Sequence, residues 1–176
     1  MNPKLPARLA PLALLAALLA AGPVLAKKSD RNQPMTIDAG AQSGSFDGAG
    51  KTVLSQGVEI NQGTMELRSN EAELYMSDGE IVRAIFIGKQ AKLKQQMDDG
   101  TWMNATANRI EYDIRNDTLT LIGDYKVESE RGSNAGQRMI YNIATGNMQS
   151  GGDGTRVRTV IQPKNKTAAP AAKESK

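Results

Sequence analysis

The sequence contains no cysteine and no histidine. Without cysteine there is no disulfide, so stability must come from backbone pairing and apolar burial. Without histidine, the chain lacks the commonest general base, the usual activator of a nucleophile and the commonest ligand of catalytic zinc. We therefore predict that the protein is not an enzyme, and in particular not a hydrolase, and that it binds neither a metal nor a cofactor.

Aromatic residues make up only 4% of the chain, and Trp102 is the only tryptophan. Few side chains are bulky enough to seal the space between two sheets. Methionine is frequent, and its flexible thioether suits surfaces that accommodate variable apolar shapes. Trp102 lies near a predicted hairpin tip at 97–101, where it either caps the core or is an exposed anchor for a partner.

Long apolar runs are absent except at the N-terminus. Lys4 and Arg8 lead into an apolar stretch, and Val24-Leu25-Ala26 forms a small-residue cleavage site, a combination typical of a secretory signal. The stretch is shorter than the roughly 20 residues that span a bilayer. We expect a cleaved signal peptide over 1–26 and an exported, soluble mature chain.

The mature chain has no strong excess of charge. Without Lys4 and Arg8, the 22 basic residues fall to 20 against 19 acidic ones, and much of the positive charge lies after Thr155. A nucleic-acid binder normally carries positive charge on a folded face, so we predict no nucleic-acid partner. Composition predicts a mobile segment at 27–33 and a disordered basic Ala/Pro/Lys tail at 164–176.

Three stretches, 69–76, 107–114 and 136–143, repeat one pattern. In each, a small residue and a polar pair precede side chains that alternate between apolar and mostly polar, and turn residues follow. This period of two is typical of strands. The first stretch has good helical propensity, but the matching positions of the other two hold β-branched and aromatic residues. We therefore predict three strands.

The same alternation continues between turn signals that recur about every 8 to 12 residues, as in all-β sandwiches and barrels. The pattern predicts further strands at 35–38, 52–61, 65–67, 81–87, 91–95, 118–128 and 156–161. The continuously apolar run at 81–87 predicts a strand that is covered on both sides or lies at an interface. We predict one all-β domain over 34–163.

The inward positions of these strands form a common apolar face. They are Met35, Ile37, Leu54, Val58, Ile60, Met65, Leu67, Leu74, Met76, Leu93, Ile110, Tyr112, Ile114, Leu119, Leu121, Met139, Tyr141 and Ile143. In most β-proteins such a face is a packed core. The many methionines and few aromatics favour a ligand cavity here.

Two features that resemble chemical sites are better explained by local structure. The segment 48–52, Gly-Ala-Gly-Lys-Thr, resembles the end of a phosphate-binding loop but leads into a strand, whereas that motif requires a following helix. Asp98-Asp99 fall on a turn, and Glu111 and Asp113 on an outward strand face. None is expected to be the desolvated carboxyl that acid–base catalysis needs.

Several segments in order resemble the LptA/OstA-like family of periplasmic lipopolysaccharide-transport proteins, over roughly 33–163. They are the secretory signal, Pro34-Met35-Thr36-Ile37-Asp38, Gly57-Val58-Glu59-Ile60-Asn61-Gln62-Gly63, the repeated strands and Arg156-Val157-Arg158-Thr159-Val160-Ile161-Gln162-Pro163. Two departures stand out: Gln56-Gly57 replaces a frequent Gly-Asn, and Met35 replaces a commoner branched residue.

The resemblance implies a twisted, V-shaped antiparallel β-jellyroll of many short strands, open at both ends, with an apolar interior groove. It implies a non-enzymatic periplasmic bridge that binds lipopolysaccharide by its acyl chains, with the inward positions as the lining. Its partners would be an inner-membrane-anchored export component and an outer-membrane translocon. The alternative is a structural exported β-module that binds only other envelope proteins.

The resemblance further implies that copies stack head to tail through two edges. The first edge consists of Met35, Thr36, Ile37 and Asp38, and the second of Arg156, Val157, Arg158, Thr159, Val160 and Ile161.

Overall fold

The computed structural model describes residues 28–163, so the predicted signal peptide at 1–26 and tail at 164–176 lie outside the described residues. The elements are a 3-10 helix (Lys28–Asn32) and strands β1 (Met35–Ser43), β2 (Gly50–Gln62), β3 (Met65–Ser69), β4 (Glu71–Ser77), β5 (Glu80–Gln96), β6 (Trp102–Asp113), β7 (Thr118–Ser129), β8 (Gly132–Asn142), β9 (Met148–Ser150) and β10 (Arg158–Ile161). Within 28–163, no helix has the length and apolarity of a membrane span.

All strand pairs are antiparallel, which confirms the predicted all-β class. The sheet runs in the order β1-β2-β3-β5-β6-β7-β8-β10, while β4 pairs with β2 and β5, and β9 pairs with β8. The strand at Glu71–Ser77 confirms the choice of strand over helix for the first repeat. Strand β9 was not predicted.

Several strands are long and bent. The predicted strands at 81–87 and 91–95 are two halves of β5, which has 17 residues. Pairing register shifts at 39–41 in β1, 87–91 in β5, 106–109 in β6 and 122–125 in β7. Since the shifts align across neighbouring strands, the sheet turns a common corner and folds into two limbs.

The first limb holds 41–43 of β1, 50–55 of β2, all of β4, 80–87 of β5, 109–113 of β6, 118–122 of β7, 138–142 of β8, and β9. The second limb holds 35–39 of β1, 58–62 of β2, all of β3, 91–96 of β5, 102–106 of β6, 125–129 of β7, 132–136 of β8, and β10.

Three side-chain amides lie at the corner, at matching positions of the three sequence repeats, and two of them bind the backbone of a neighbouring strand. Asn70 Oδ1 accepts a hydrogen bond of 3.2 Å from the Lys89 backbone N–H. Gln137 accepts from the Asp124 N–H at 3.3 Å and donates to the Asp124 carboxylate at 2.5 Å. These bonds satisfy backbone and side-chain groups where the ladder is interrupted.

The third amide, Asn108, lies against Gly123 of β7. A Cβ on Gly123 would lie 2.8 Å from Asn108 Nδ2, and Gly123 has a φ of +77°. Both the contact and the left-handed backbone therefore favour glycine at this corner.

The inward faces of the two limbs form one core. Its buried apolar residues are Leu54, Val58, Ile60, Leu67, Ala72, Leu74, Ala84, Phe86, Ala91, Leu93, Ala105, Ala107, Ile110, Leu119, Leu121, Tyr125 and Met139. The predicted strand at 81–87 is covered on both sides: Ala84 and Phe86 are buried inward, and Ile85 on the outer face is only 2% exposed.

Ile85 pairs with Glu73 of β4 on one side and Glu111 of β6 on the other, and both glutamates belong to a set of polar contacts on the outer face of the first limb. The contacts are Lys51–Glu73 (3.0 Å), Tyr75–Glu73 (2.8 Å), Arg83–Glu111 (2.7 Å) and Arg109–Glu111 (2.6 Å). Hydrogen bonds from Lys51 and Tyr75 lower the pKa of Glu73. Burial alone would raise the pKa of Glu111, but the bonds from Arg109 and Arg83 outweigh it and lower that pKa.

The C-terminal edge is shorter than predicted. Strand β10 begins at Arg158, so Arg156 and Val157 precede it, because the chain first crosses from β9 through a loop in which Val157 lies against Gly151. Asn134 of β8 accepts a 2.5 Å hydrogen bond from the Tyr125 hydroxyl and donates at 2.8 Å to Thr159 of β10. This buried contact fastens β10 to the sheet.

Candidate functional site: an apolar groove between the limbs

A cavity of about 750 Å³ lies between the two limbs. Its lining comes from the 3-10 helix, from strands across the sheet between β1 and β8, and from the segments that follow β5, β6 and β8. The lining residues are Asp30, Met35, Ile60, Gln62, Met65, Leu67, Leu74, Glu80, Ile81, Ala84, Phe86, Leu93, Gln95, Met97, Met103, Tyr112, Ile114, Asp117, Leu119, Tyr141, Ile143 and Ala144.

A second cavity of about 150 Å³ shares four residues with the first: Met97, Met103, Leu119 and Tyr141. It extends toward β9 through Leu121, Val127, Met139 and Met148. The two cavities are therefore adjacent parts of one apolar trough, which we call the groove.

Most of the residues that the sequence predicted as lining do line the groove. Met35, Ile60, Met65, Leu67, Leu74, Leu93, Tyr112, Ile114, Leu119, Tyr141 and Ile143 line the larger cavity, and Leu121 and Met139 the smaller. Ile37, Leu54, Val58, Met76 and Ile110 line neither. All of these five except Ile37 are buried.

Sequence reasoning missed several lining residues. The run at 81–87 is apolar at both inward and outward positions except Arg83, so alternation could not identify Ile81, Ala84 and Phe86 as inward. Pairing does: Ala84 lies opposite Leu74, and Phe86 opposite Ala72. Met97 and Met103 were not predicted to face inward, since the hairpin tip at 97–101 interrupts the pattern.

Methionines are concentrated in the groove. Of the seven within 28–163, six line it: Met35, Met65, Met97, Met103, Met139 and Met148. Unbranched thioether side chains change shape at low cost, so this lining can adapt to apolar guests of different outline.

Trp102 does not belong to the groove. It is 40% exposed, and the Lys94 ammonium lies 4.6 Å from the centre of its ring. Its neighbour Met103 faces the cavity instead. Of the two roles considered for Trp102, the structure favours the exposed one over a cap on the core.

The groove has little catalytic potential. Within 28–163, no three Asp, Glu, His or Cys residues are grouped to hold a metal. Asp99 and Glu111 do not line the groove. Bonds from Thr101 and the nearby Arg131 lower the pKa of Asp99, and the pKa of Glu111 is also lowered, so neither carboxyl is suited to donate a proton. Tyr141 lines the groove, and burial raises its pKa, so its hydroxyl stays neutral.

Comparison with known proteins identifies a matching family and a solved structure with a similar fold. Residues 36–147 match the family described as "LptA/(LptD N-terminal domain) LPS transport protein". The crystal structure of LptH, "the LptA homologous periplasmic component of the conserved lipopolysaccharide transport device from Pseudomonas aeruginosa", superposes with a TM-score of 0.68 and 25% identity. That match covers 77% of this chain and 99% of LptH.

Two curated relatives carry the same description. The "Lipopolysaccharide export system protein LptA" of Escherichia coli K12 is 29% identical over 174 residues, covering 93% of each chain. The protein of that description from Haemophilus influenzae is 27% identical over 156 residues, covering 86% of this chain and 90% of the relative. These names describe transport components and not enzymes.

Proposed function

Because the chain belongs to the LptA/(LptD N-terminal domain) LPS transport protein family, we propose that it is a periplasmic component of lipopolysaccharide transport that works without catalysis. The observation that carries this proposal is the apolar groove between the two limbs. The proposal gives this space a role that a packed core would not have.

The groove's cargo would be the acyl chains of lipopolysaccharide. Each methylene exposed to water costs about 0.8 kcal/mol, so several bare chains would cost tens of kcal/mol and would not cross an aqueous gap unaided. The Met, Leu, Ile and Phe side chains of the lining offer these chains an apolar surface. Transport also requires release, and an adaptable lining favours modest affinity over a single tight site.

Copies of the chain would stack head to tail, β1 of one against β10 of the next. Among the strands of residues 28–163, β1 pairs on one side only, with β2, and β10 pairs only with β8. Met35 (37%), Val160 (39%) and Ile161 (82%) are exposed apolar residues at these edges. Exposed edges of this kind usually invite uncontrolled association. A heterologous contact would use them to join grooves between the inner-membrane-anchored component and the outer-membrane translocon.

Site-specific photo-crosslinking tests the cargo. A benzophenone amino acid is placed at Tyr112 or Ile114, which line the groove, and at their chain neighbours Asp113 and Arg115, which do not. We expect lipopolysaccharide to be captured from the first pair only, since Asp113 faces the opposite side of β6 from Tyr112 and Arg115 is exposed in the turn after β6. Equal capture from both pairs, or none from either, would contradict the proposal and favour a module that binds only envelope proteins.

A further inference from the structure

The N-terminal segment 28–33, which we call the strap, lies against the turn between β2 and β3. The sequence predicted a mobile lead-in over 27–33, and the structure has a 3-10 helix over Lys28–Asn32. The Gln62 side chain donates a hydrogen bond of 3.1 Å to the Gln33 carbonyl. The strap is therefore bound to the end of β2, next to the free edge strand β1.

Asp30 makes the central contact of the strap. It is only 4% exposed, which is rare for an aspartate. The Thr64 hydroxyl donates to its carboxyl group, and Thr64 Oγ1 in turn accepts a 3.2 Å bond from the Gln96 backbone N–H. One side chain thus links the strap, through Thr64, to β5.

The β2–β3 turn has a shape that leaves room for Asp30. Gly63 has a φ of +57°, and a Cβ on it would lie 2.4 Å from Asp30 Oδ1 and 2.9 Å from Asp30 Cβ. Any other residue at position 63 would push against the strap. By contrast, Gly79 in the β4–β5 turn has a similar φ of +77° but nothing within 4 Å of its would-be Cβ.

Asp30 also lines the larger cavity, at the end where Met35 and Gln62 lie. A carboxyl group at this end is unfavourable for a hydrocarbon chain, because its polar atoms would lose their partners or their hydration. We infer that the strap closes the β1 end of the groove to acyl chains until it is displaced, and that Asp30 fastens it there. This inference rests on the proposed function, under which the β1 end is also where the neighbouring copy's groove begins.

The first test compares two alanine variants in the full chain, produced with its own first 26 residues. Uptake of a dansyl-labelled fatty acid is followed by stopped-flow fluorescence. Gly63→Ala forces the strap away and should accelerate uptake by about tenfold, the change expected for losing a hydrogen bond to a carboxylate. Gly79→Ala, which carries a similar backbone strain without touching the strap, should match the unmodified chain. Equal rates for both variants would overturn the inference.

The second test locks the strap. Since the chain has no cysteine, Asp30→Cys combined with Thr64→Cys introduces the only possible disulfide. The oxidised variant should take up probe several-fold more slowly and regain its rate in reductant. The control is Lys92→Cys with Thr106→Cys, a directly opposed outward pair whose oxidation should change nothing. Melting curves identify any variant that fails to fold.

These experiments separate the strap from the groove itself. If neither the unmodified chain nor Gly63→Ala takes up probe, the proposed function fails. If the unmodified chain takes up probe and the oxidised lock takes it up equally fast, the groove stands and the closing role of the strap is refuted.

Discussion

At the scale of single residues, the corner of the sheet holds three amide side chains, two of which lie against a glycine. Asn70, Asn108 and Gln137 occupy matching positions of the sequence repeat, and each lies against the strand that pairs next to it. The repeat thus marks the position of the bend as well as the strands, and this could be recognised only once the pairing of the strands was known.

Gly123→Ala tests the corner. The substitution combines a left-handed φ with a Cβ 2.8 Å from Asn108 Nδ2. We expect a loss of about 2–4 kcal/mol in the free energy of unfolding, measured by urea denaturation. Gly100→Ala has a φ of +83° and open space around its would-be Cβ, so it should lose only about 1–2 kcal/mol. Similar losses for both would show that Asn108 can move aside.

The contact between Tyr125 and Asn134 gives a second prediction at this scale. Tyr125→Phe removes one hydrogen bond and should cost about 1 kcal/mol of unfolding free energy. Asn134→Ala should cost about 2–3 kcal/mol, because it leaves the Tyr125 hydroxyl, in a residue only 1% exposed, without that acceptor and also frees Thr159. The double variant should then cost less than the sum, and strict additivity would contradict a coupled network.

At the scale of elements, the polar contacts on the outer face of the first limb join β2, β4, β5 and β6. Glu73 and Glu111 have lowered pKa values in the folded chain. Their carboxylates therefore stabilise the fold above about pH 4.3, the pKa of an unfolded glutamate. This contribution is lost as the pH falls through the lower folded pKa values.

Glu111→Gln is the variant that isolates this effect. We expect it to lower the unfolding free energy at pH 7 by about 1 kcal/mol, because Arg83 and Arg109 lose their shared partner. Its melting temperature should then fall less than that of the unmodified chain between pH 7 and pH 3. Glu130→Gln, an exposed turn position, serves as control. Parallel curves for all three proteins would refute the assignment.

The strands themselves could largely be predicted from the sequence, because each inward face alternates with a polar outer face. The prediction was less successful where that period breaks. Strand β5 was divided in two at Gly88–Gln90, since a bend and a turn have similar residues. Strand β9 has only three residues, too few for a period. The groove residues Phe86 and Ile81 were missed because both sides of their strand are covered.

The difference between a core and a groove also could not be predicted from the pattern. Ile110 and Tyr112 lie two residues apart on β6 and were both predicted to face inward. Ile110 is fully buried near the corner, whereas Tyr112 lines the open groove. Distance from the corner decides between these environments. That distance depends on the register shifts between neighbouring strands, which the alternation within one strand does not reveal.

At the scale of the whole molecule, two limbs that meet at a corner have a packed region near the corner and open space farther away. Ile110→Ala should therefore cost about 2–5 kcal/mol of unfolding free energy, as for a packed core residue. Ile114→Ala, on a half-buried side chain that lines the groove, should cost about 1 kcal/mol. A full core penalty at Ile114 would indicate that the space is filled by the protein's own side chains.

Assembly gives a further prediction at this scale. Val160→Lys with Ile161→Lys changes two exposed residues of β10, so the monomer should keep its melting temperature. Light scattering over a concentration series should then show smaller particles than for the unmodified chain, because lysine at a strand edge opposes edge pairing. Truncation after Gly154, which removes β10 entirely, should have the same effect. Unchanged particle size in both cases would move the contact elsewhere.

The two edges of the sheet differ in kind. One is a single strand of nine residues, and the other is two short pieces, β9 and β10, of three and four residues with a loop between them. A filament of such units would have polarity, with a terminus at each extremity that is chemically unlike the other. A capping factor would need to recognise only one of them to set the filament's length without disturbing any unit inside it.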